Sequence, residues 1–149
     1  LREPIERIEE ADFIVSSSKI TDIRTKHQNH LMTYQPIEWA RIYDNKRFNA
    51  SSWPLSKNVH AVAGIGNPAK FYKTLSNLGL NPIQHSFPDH YQFSEEDLDF
   101  GDSLPIIMTE KDAVRCLDMN SKNLWYLSVE AQFENKDLAE KILNKLTIQ

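Results

Sequence analysis

From residue 59 onward, apolar positions fall alternately into short continuous runs and helix-spaced stripes. Val59-His60-Ala61-Val62-Ala63 predicts a strand. Asn67-Pro68 then opens a helix over 68–78, with Asn67 as its cap, Pro68 at its first position and Gly79 at its end. Pro82–Phe87, Pro105–Met108 and Leu124–Val129 predict three further strands. Between them, Ser94-Glu95-Glu96-Asp97 starts a short helix that stops near Gly101. Thr109-Glu110-Lys111-Asp112 resembles a capping box, with Asp in place of Glu or Gln, for a helix over 110–117. Leu138, Ile142, Leu143 and Leu146 share one face of a last amphipathic helix. Before residue 59 the pattern is weaker. It predicts a short helix at 3–11 with Pro4 near its first turn, a buried strand at Phe13-Ile14-Val15 and a helix within 20–28. One or two edge-type strands are expected in 31–44 around Pro36, then a polar loop over 45–58.

Strands alternating with helices predict an α/β fold, a mainly parallel sheet with flanking helices of Rossmann-like type. The expected division is a linking segment, 1–58, with bridging strands, and an α/β domain, 59–149. Open α/β sheets hold ligands outside the carboxyl ends of their strands. Three segments fall there: Gly64-Ile65-Gly66-Asn67, Phe87-Pro88-Asp89-His90 and Thr109-Glu110-Lys111-Asp112. One polar rim built from three loops is therefore expected.

Composition narrows the function classes. A net charge of -4 over 149 residues, with Lys and Arg scattered, excludes a nucleic-acid footprint and shows no polybasic membrane patch. A single cysteine, Cys116, rules out an internal disulfide and a multi-cysteine zinc site, and it reads as a small core residue. No apolar run reaches membrane-spanning length, and no signal peptide opens the chain. The start on Leu1-Arg2-Glu3-Pro4, without Met, fits part of something longer.

Each rim segment has a chemical reading beside a structural one. The Gly64–Asn67 turn can aim free backbone N–H groups at an anion, or serve as a tight turn before a capped helix. It is not a phosphate-binding loop, because the chain has no GxxxxGK[ST] and only four glycines. Asp89 beside His90, in a loop stiffened by Pro88, suits proton transfer near neutral pH; alternatively Asp89 caps the next turn and His90 is solvated. Glu110 and Asp112 suit a helix N-terminus, whereas Lys111 does not, so its amine has Glu110, Asp112 or a ligand as candidate partners. His27 and His30 lie three apart without a third ligand nearby, so no metal site is assigned. His60 reads as structural, His85 as solvent-facing, and Trp39, Trp53 and Trp125 as separate packing residues.

Taken together, these segments resemble tetraacyldisaccharide 4'-kinases. Val59–Pro68 followed by Phe71 is similar to their AGIGxPxxF stretch, Phe87–His90 to their PDH or ADH motif, and Met108–Val114 to their MTEKDAVK signature, with Arg115 where Lys is usual. Leu124–Leu127 resembles the strand that follows, with Ser128 where Pro is common, and Leu1–Pro4 resembles the end of an LLPAGPLREP segment. The likeness is strongest over 59–129. It implies the C-terminal half of a P-loop-type kinase that transfers the γ-phosphate of ATP to the 4'-hydroxyl of a tetraacyldisaccharide 1-phosphate lipid. The family acts at the cytoplasmic face of the bacterial inner membrane; the fragment itself is expected to be soluble. It also implies that ATP and Mg²⁺ are bound mainly by an N-terminal P-loop domain not included in this sequence. On the same basis His90, with Asp89, is the expected catalytic group. Gly64, Gly66, Asn67, Thr109, Glu110, Lys111 and Asp112 form the expected nucleotide or substrate rim. Two readings compete with this. One is a non-catalytic α/β module binding a small ligand or protein through the same rim. The other is a hydrolase with an Asp89–His90 dyad, which lacks a GxSxG elbow or metal cluster.

Overall fold

Strand β4 (Asn58–Ala63) is buried at every residue after its first, as expected for a central strand covered on both faces. In the computed structural model, which describes residues 4–17, 29–135 and 137–147, β4 pairs in parallel with β5 (Asn81–Ser86) on one side and β6 (Ile106–Thr109) on the other. Strand β6 pairs in parallel with β7 (Leu124–Phe133). Beyond β7 lies β2 (Asn29–Arg41), and β3 (Arg47–Asn49) pairs antiparallel to β2. The chain forms two compact units, Pro36–Val129 and the described residues within Leu1–Gln35 and Glu130–Gln149.

In the Pro36–Val129 unit, the two-residue period of the strands sorts side chains to opposite faces. Val59, Ala61, Ala63, Ile107, Trp125 and Leu127 join one core with Phe71, Tyr72 and Leu75 of α1 (Pro68–Asn77). Val62, Ile106, Met108 and Leu124 join a second with Phe93, Leu98, Ala113 and Cys116. Helix α1 ends as its glycine predicts. Gly79, at φ 84°, donates to Ser76 O, and Leu80 N donates to Leu75 O, the paired bonds of a Schellman end. Its start differs from expectation, since Asn67 occupies the cap position without a side-chain cap bond.

The region 45–58 is not only loop. Strand β3 lies within it, Ala50 is buried, and Trp39 Nε1 donates to Ala50 O at 2.9 Å. Trp53 packs edge-on between Trp39 and Trp125, with centroids 4.9 and 5.3 Å away. The three tryptophans are thus one cluster that ties Trp39, Phe48, Ala50 and Trp53 to the core of the Pro36–Val129 unit. Of the one or two strands expected in 31–44 there is one, running through Pro36. Its partners β1 (Ile14–Ser16) and β3 take Asn29–Leu31 and Glu38–Ala40, so Pro36 falls between the paired stretches.

In the other unit, residues 5–10 form a 3₁₀ turn rather than an α-helix. Strand β1 (Ile14–Ser16) pairs with the start of β2 and leaves Val15 43% exposed, so the run at 13–15 is not a fully buried strand. Helix α3 (Leu138–Thr147) buries Leu138 but exposes Leu143 and Leu146. The helix expected within 20–28 lies outside the described residues. Among the described residues, no helix is long and apolar enough to cross a membrane.

Candidate active site

The connection from β4 runs through α1 to β5, whereas that from β6 runs the other way to β7. Adjacent strands whose connections diverge create the crevice in which open α/β sheets seat ligands. Asp112 lies across this crevice. It is fully buried, and its Oδ2 accepts from Gly64 N at 3.1 Å and from Thr109 Oγ1 at 2.6 Å. Arg115 Nη1 donates to Oδ1 at 3.1 Å. A buried carboxylate needs such a full set of donors. Gly64 is glycine for a steric reason: a Cβ there would stand 3.1 Å from Asp112 Oδ1 and 3.2 Å from Pro88 O.

This arrangement alters two expectations. Thr109 caps α2 (Glu110–Ala113) by accepting from Asp112 N, but the Asp112 side chain crosses to the neighbouring loop to bind Gly64 N. Helix α2 is one turn long, not the 110–117 helix, and the chain continues in turns to 118. The Gly64 amide is committed to Asp112, so it is not one of the free N–H groups expected of an anion-binding turn, whereas Gly66 and Asn67 are exposed.

The Pro88–Tyr91 turn rises beside this crevice. Phe87 and Tyr91, 4.9 Å apart, flank it, and Tyr91 N donates to Pro88 O at 3.2 Å. His90, inside the turn, sits at φ 62° and donates its backbone N–H to Gly64 O at 3.3 Å. That left-handed conformation costs a histidine about 1–3 kcal/mol, a form of strain concentrated at functional sites. The backbone holds the ring outward, with the side chain 69% exposed. Its Nδ1 lies 3.0 Å from Arg115 Nη2, and its Nε2 3.7 Å from Asp89 Oδ2.

Lys111 pairs with neither Glu110 nor Asp112 but donates to Asp89 Oδ1 at 2.9 Å. This bond holds the Asp89 carboxyl below the usual carboxylate range. Asp89 caps no following turn; it accepts from the adjacent His90 N. Glu110 accepts from Ser128 Oγ at 3.2 Å. The structure thus joins Gly64, Asp89, His90, Thr109, Lys111 and Asp112 through direct bonds, while Gly66 and Asn67 border them. Arg115 is the residue the sequence reading missed as a member of the site. Its signal was its place three residues beyond Asp112, which puts both side chains on one side of a helical turn.

Other candidates fall elsewhere. Cys116 is buried as expected, and burial pushes its thiol up to about 11. His85 is not simply solvent-facing. Its Nε2 lies 2.9 Å from Nδ1 of buried His60, and Phe100 stacks on both rings. His60 Nε2 meets Asp102 at 3.1 Å. His30 is buried beside Phe13, and His27 lies outside the described residues. Among the described residues no group of three His, Cys, Asp or Glu is arranged to hold a metal. Three hollows of this unit, lined by residues such as Asn58, Ile106 and Asn123, lie toward the amino ends of the strands, away from the rim.

A mainly parallel sheet with flanking helices and a polar rim at its switch point defines an open α/β domain. The chain belongs to the tetraacyldisaccharide-1-P 4'-kinase (LpxK) family, whose model matches residues 1–147. The tetraacyldisaccharide 4'-kinase of Hahella chejuensis is 38% identical over 135 residues, covering 91% of this chain and 39% of that protein. That of Pseudomonas putida strain W619 is 42% identical over 131 residues, covering 88% and 38%. The chain therefore spans about two fifths of the length of these relatives. The crystal structure of LpxK from Aquifex aeolicus in complex with ATP shares the fold, with a TM-score of 0.68 at 24% identity, covering 97% of this chain and 45% of that one.

Proposed function

We propose that this chain is the C-terminal portion of a lipid kinase. The whole protein transfers the γ-phosphate of ATP to the 4'-hydroxyl of a tetraacyldisaccharide 1-phosphate, a lipid A precursor, at the cytoplasmic face of the inner membrane. The observation that carries this reading is the bonded rim at the switch point, which presents His90 outward from a strained turn. Family membership supplies the reaction class.

The residues of this chain do not by themselves suit ATP with Mg²⁺. Gly64 N is committed to Asp112, no GxxxxGK[ST] occurs, and the described residues hold no metal-ligand cluster. Triphosphate and metal binding therefore belong, in this reading, to an N-terminal P-loop domain of the whole protein. The nucleotide would supply the phosphoryl group and the metal would neutralise its charge, which together with positioning is the main source of rate in such transfers. His90 would face the acceptor hydroxyl together with a carboxylate of that domain. Asp89, kept ionised by Lys111, would orient the outer edge of the His90 ring. Gly66, Asn67, Thr109 and Glu110 would border the bound substrate or nucleotide.

The test is phosphate transfer from ATP to tetraacyldisaccharide 1-phosphate by the intact protein, followed at the 4'-position. Transfer is expected, and its absence would overturn the proposal. The 149-residue chain alone is expected to show none.

A further inference from the structure

The guanidinium of Arg115 lies between two acceptors. Nη1 donates to Asp112 Oδ1 at 3.1 Å, and Nη2 lies 3.0 Å from His90 Nδ1. Arg115 is itself 15% exposed, and Asp112 is fully buried. A guanidinium has donors only and keeps its charge at every relevant pH. It can therefore bond to Nδ1 only if that nitrogen carries no proton. From this we infer that Arg115 is a positioning residue, which fixes the His90 ring as the tautomer with its proton on Nε2, directed away from the sheet.

The assignment deepens the kinase reading and rests on it for its catalytic consequence. A neutral His90 held this way offers Nε2–H as a hydrogen-bond donor, so it orients a carboxylate or a phosphoryl oxygen. It does not accept the proton of the attacking hydroxyl at that nitrogen. Anchorage runs to the centre of the fold, because the carboxylate that aims Arg115 also ties Gly64 to Thr109. The backbone of His90 is fixed separately through Gly64 O, so ring and main chain are positioned by two routes from the same crevice.

The experiment uses the intact kinase with its histidine ring nitrogens labelled with ¹⁵N. In the unaltered protein His90 is expected to show an unprotonated Nδ1 and a protonated Nε2. Arg115→Lys, whose single ammonium keeps a charge against Asp112, is expected to shift the Nδ1 signal. A protonated Nδ1 in the unaltered protein, or a signal indifferent to Arg115→Lys, would overturn the inference without any need for activity. In the kinetic arm, Arg115→Gln is expected to lower kcat by roughly 10- to 100-fold with KM for ATP little changed. The loss should vanish in a His90→Asn background, because Arg115 acts through that ring; an equal loss there would assign it a merely structural role and sink the inference. If His90→Asn leaves turnover intact while the ring signals behave as stated, the site reading fails and the fixed tautomer stands.

Discussion

His60 and His90 belong to the same unit, and each has an aspartate near one ring nitrogen. His60 is 5% exposed, with one nitrogen meeting His85, the other Asp102, and its face covered by Phe100. His90 stands exposed on a turn at positive φ, with Arg115 at Nδ1 and an Nε2 still 3.7 Å from Asp89. A buried imidazole with both nitrogens engaged stabilises the fold and has no capacity left for a substrate. An exposed ring held from behind, with its outer nitrogen short of a full bond, is arranged for a group that arrives later. Proximity of His to Asp does not separate these roles; burial, backbone strain and the state of the second nitrogen do.

The strongest way to break this contrast is His90→Asn in the intact kinase. Asparagine tolerates the left-handed conformation, so the turn and the thermal midpoint should hold, while kcat should fall by about 10²-fold, the weight of a contact that orients the reacting groups. Steady-state phosphorylation alongside a melting curve decides it, and unchanged turnover would return His90 to the surface residues. Next comes Asp112→Ala, which leaves the donors of Gly64, Thr109 and Arg115 around an empty site. A loss of about 3–5 kcal/mol in denaturant unfolding is expected, and a near-neutral result would mean that the rim is not anchored through this carboxylate.

Gly64→Ala should destabilise by about 1–3 kcal/mol, because the new methyl meets Asp112 and the Pro88 backbone. His60→Gln should lower stability by about 1–3 kcal/mol as well, through a buried donor or acceptor left unmade. Its kcat should not change, and a kinetic defect in a variant of normal fold would erase the distinction between the two histidines. The smallest effect concerns His85. Burial, then the neighbouring His60, lowers its pKa from 6.5. Folding thus favours its neutral form, and the unfolded chain binds more protons as pH falls through that range. This contribution is complete above about pH 6.5 and is lost as the pH drops through the lowered folded value. His85→Gln should flatten that acid slope in unfolding measured between pH 7 and 5.

Much of the sheet was legible because burial on both faces writes continuous apolar runs, as at Val59–Ala63 and Pro105–Met108, and because Pro68 and Gly79 punctuate α1 by their backbone chemistry. Residues 31–58 were harder. The draw of Trp39 and Trp53 into one aromatic cluster with Trp125 depends on strands far apart in sequence. The α2 capping box was read from local spacing, which cannot show that Asp112 has a better partner 48 residues away. Arg115 escaped for the same reason.

The order of strands after residue 58, the glycine turn, the rigid PDH loop and the family resemblance were determined by the sequence itself, since each rests on neighbours within a few residues. Tertiary structure decided which polar groups meet. It assigned Lys111 to Asp89, Arg115 to both Asp112 and His90, and His85 to His60. Hydrogen bonds depend on distances near 3 Å, and only the closed sheet brings loops from three separate strands that close.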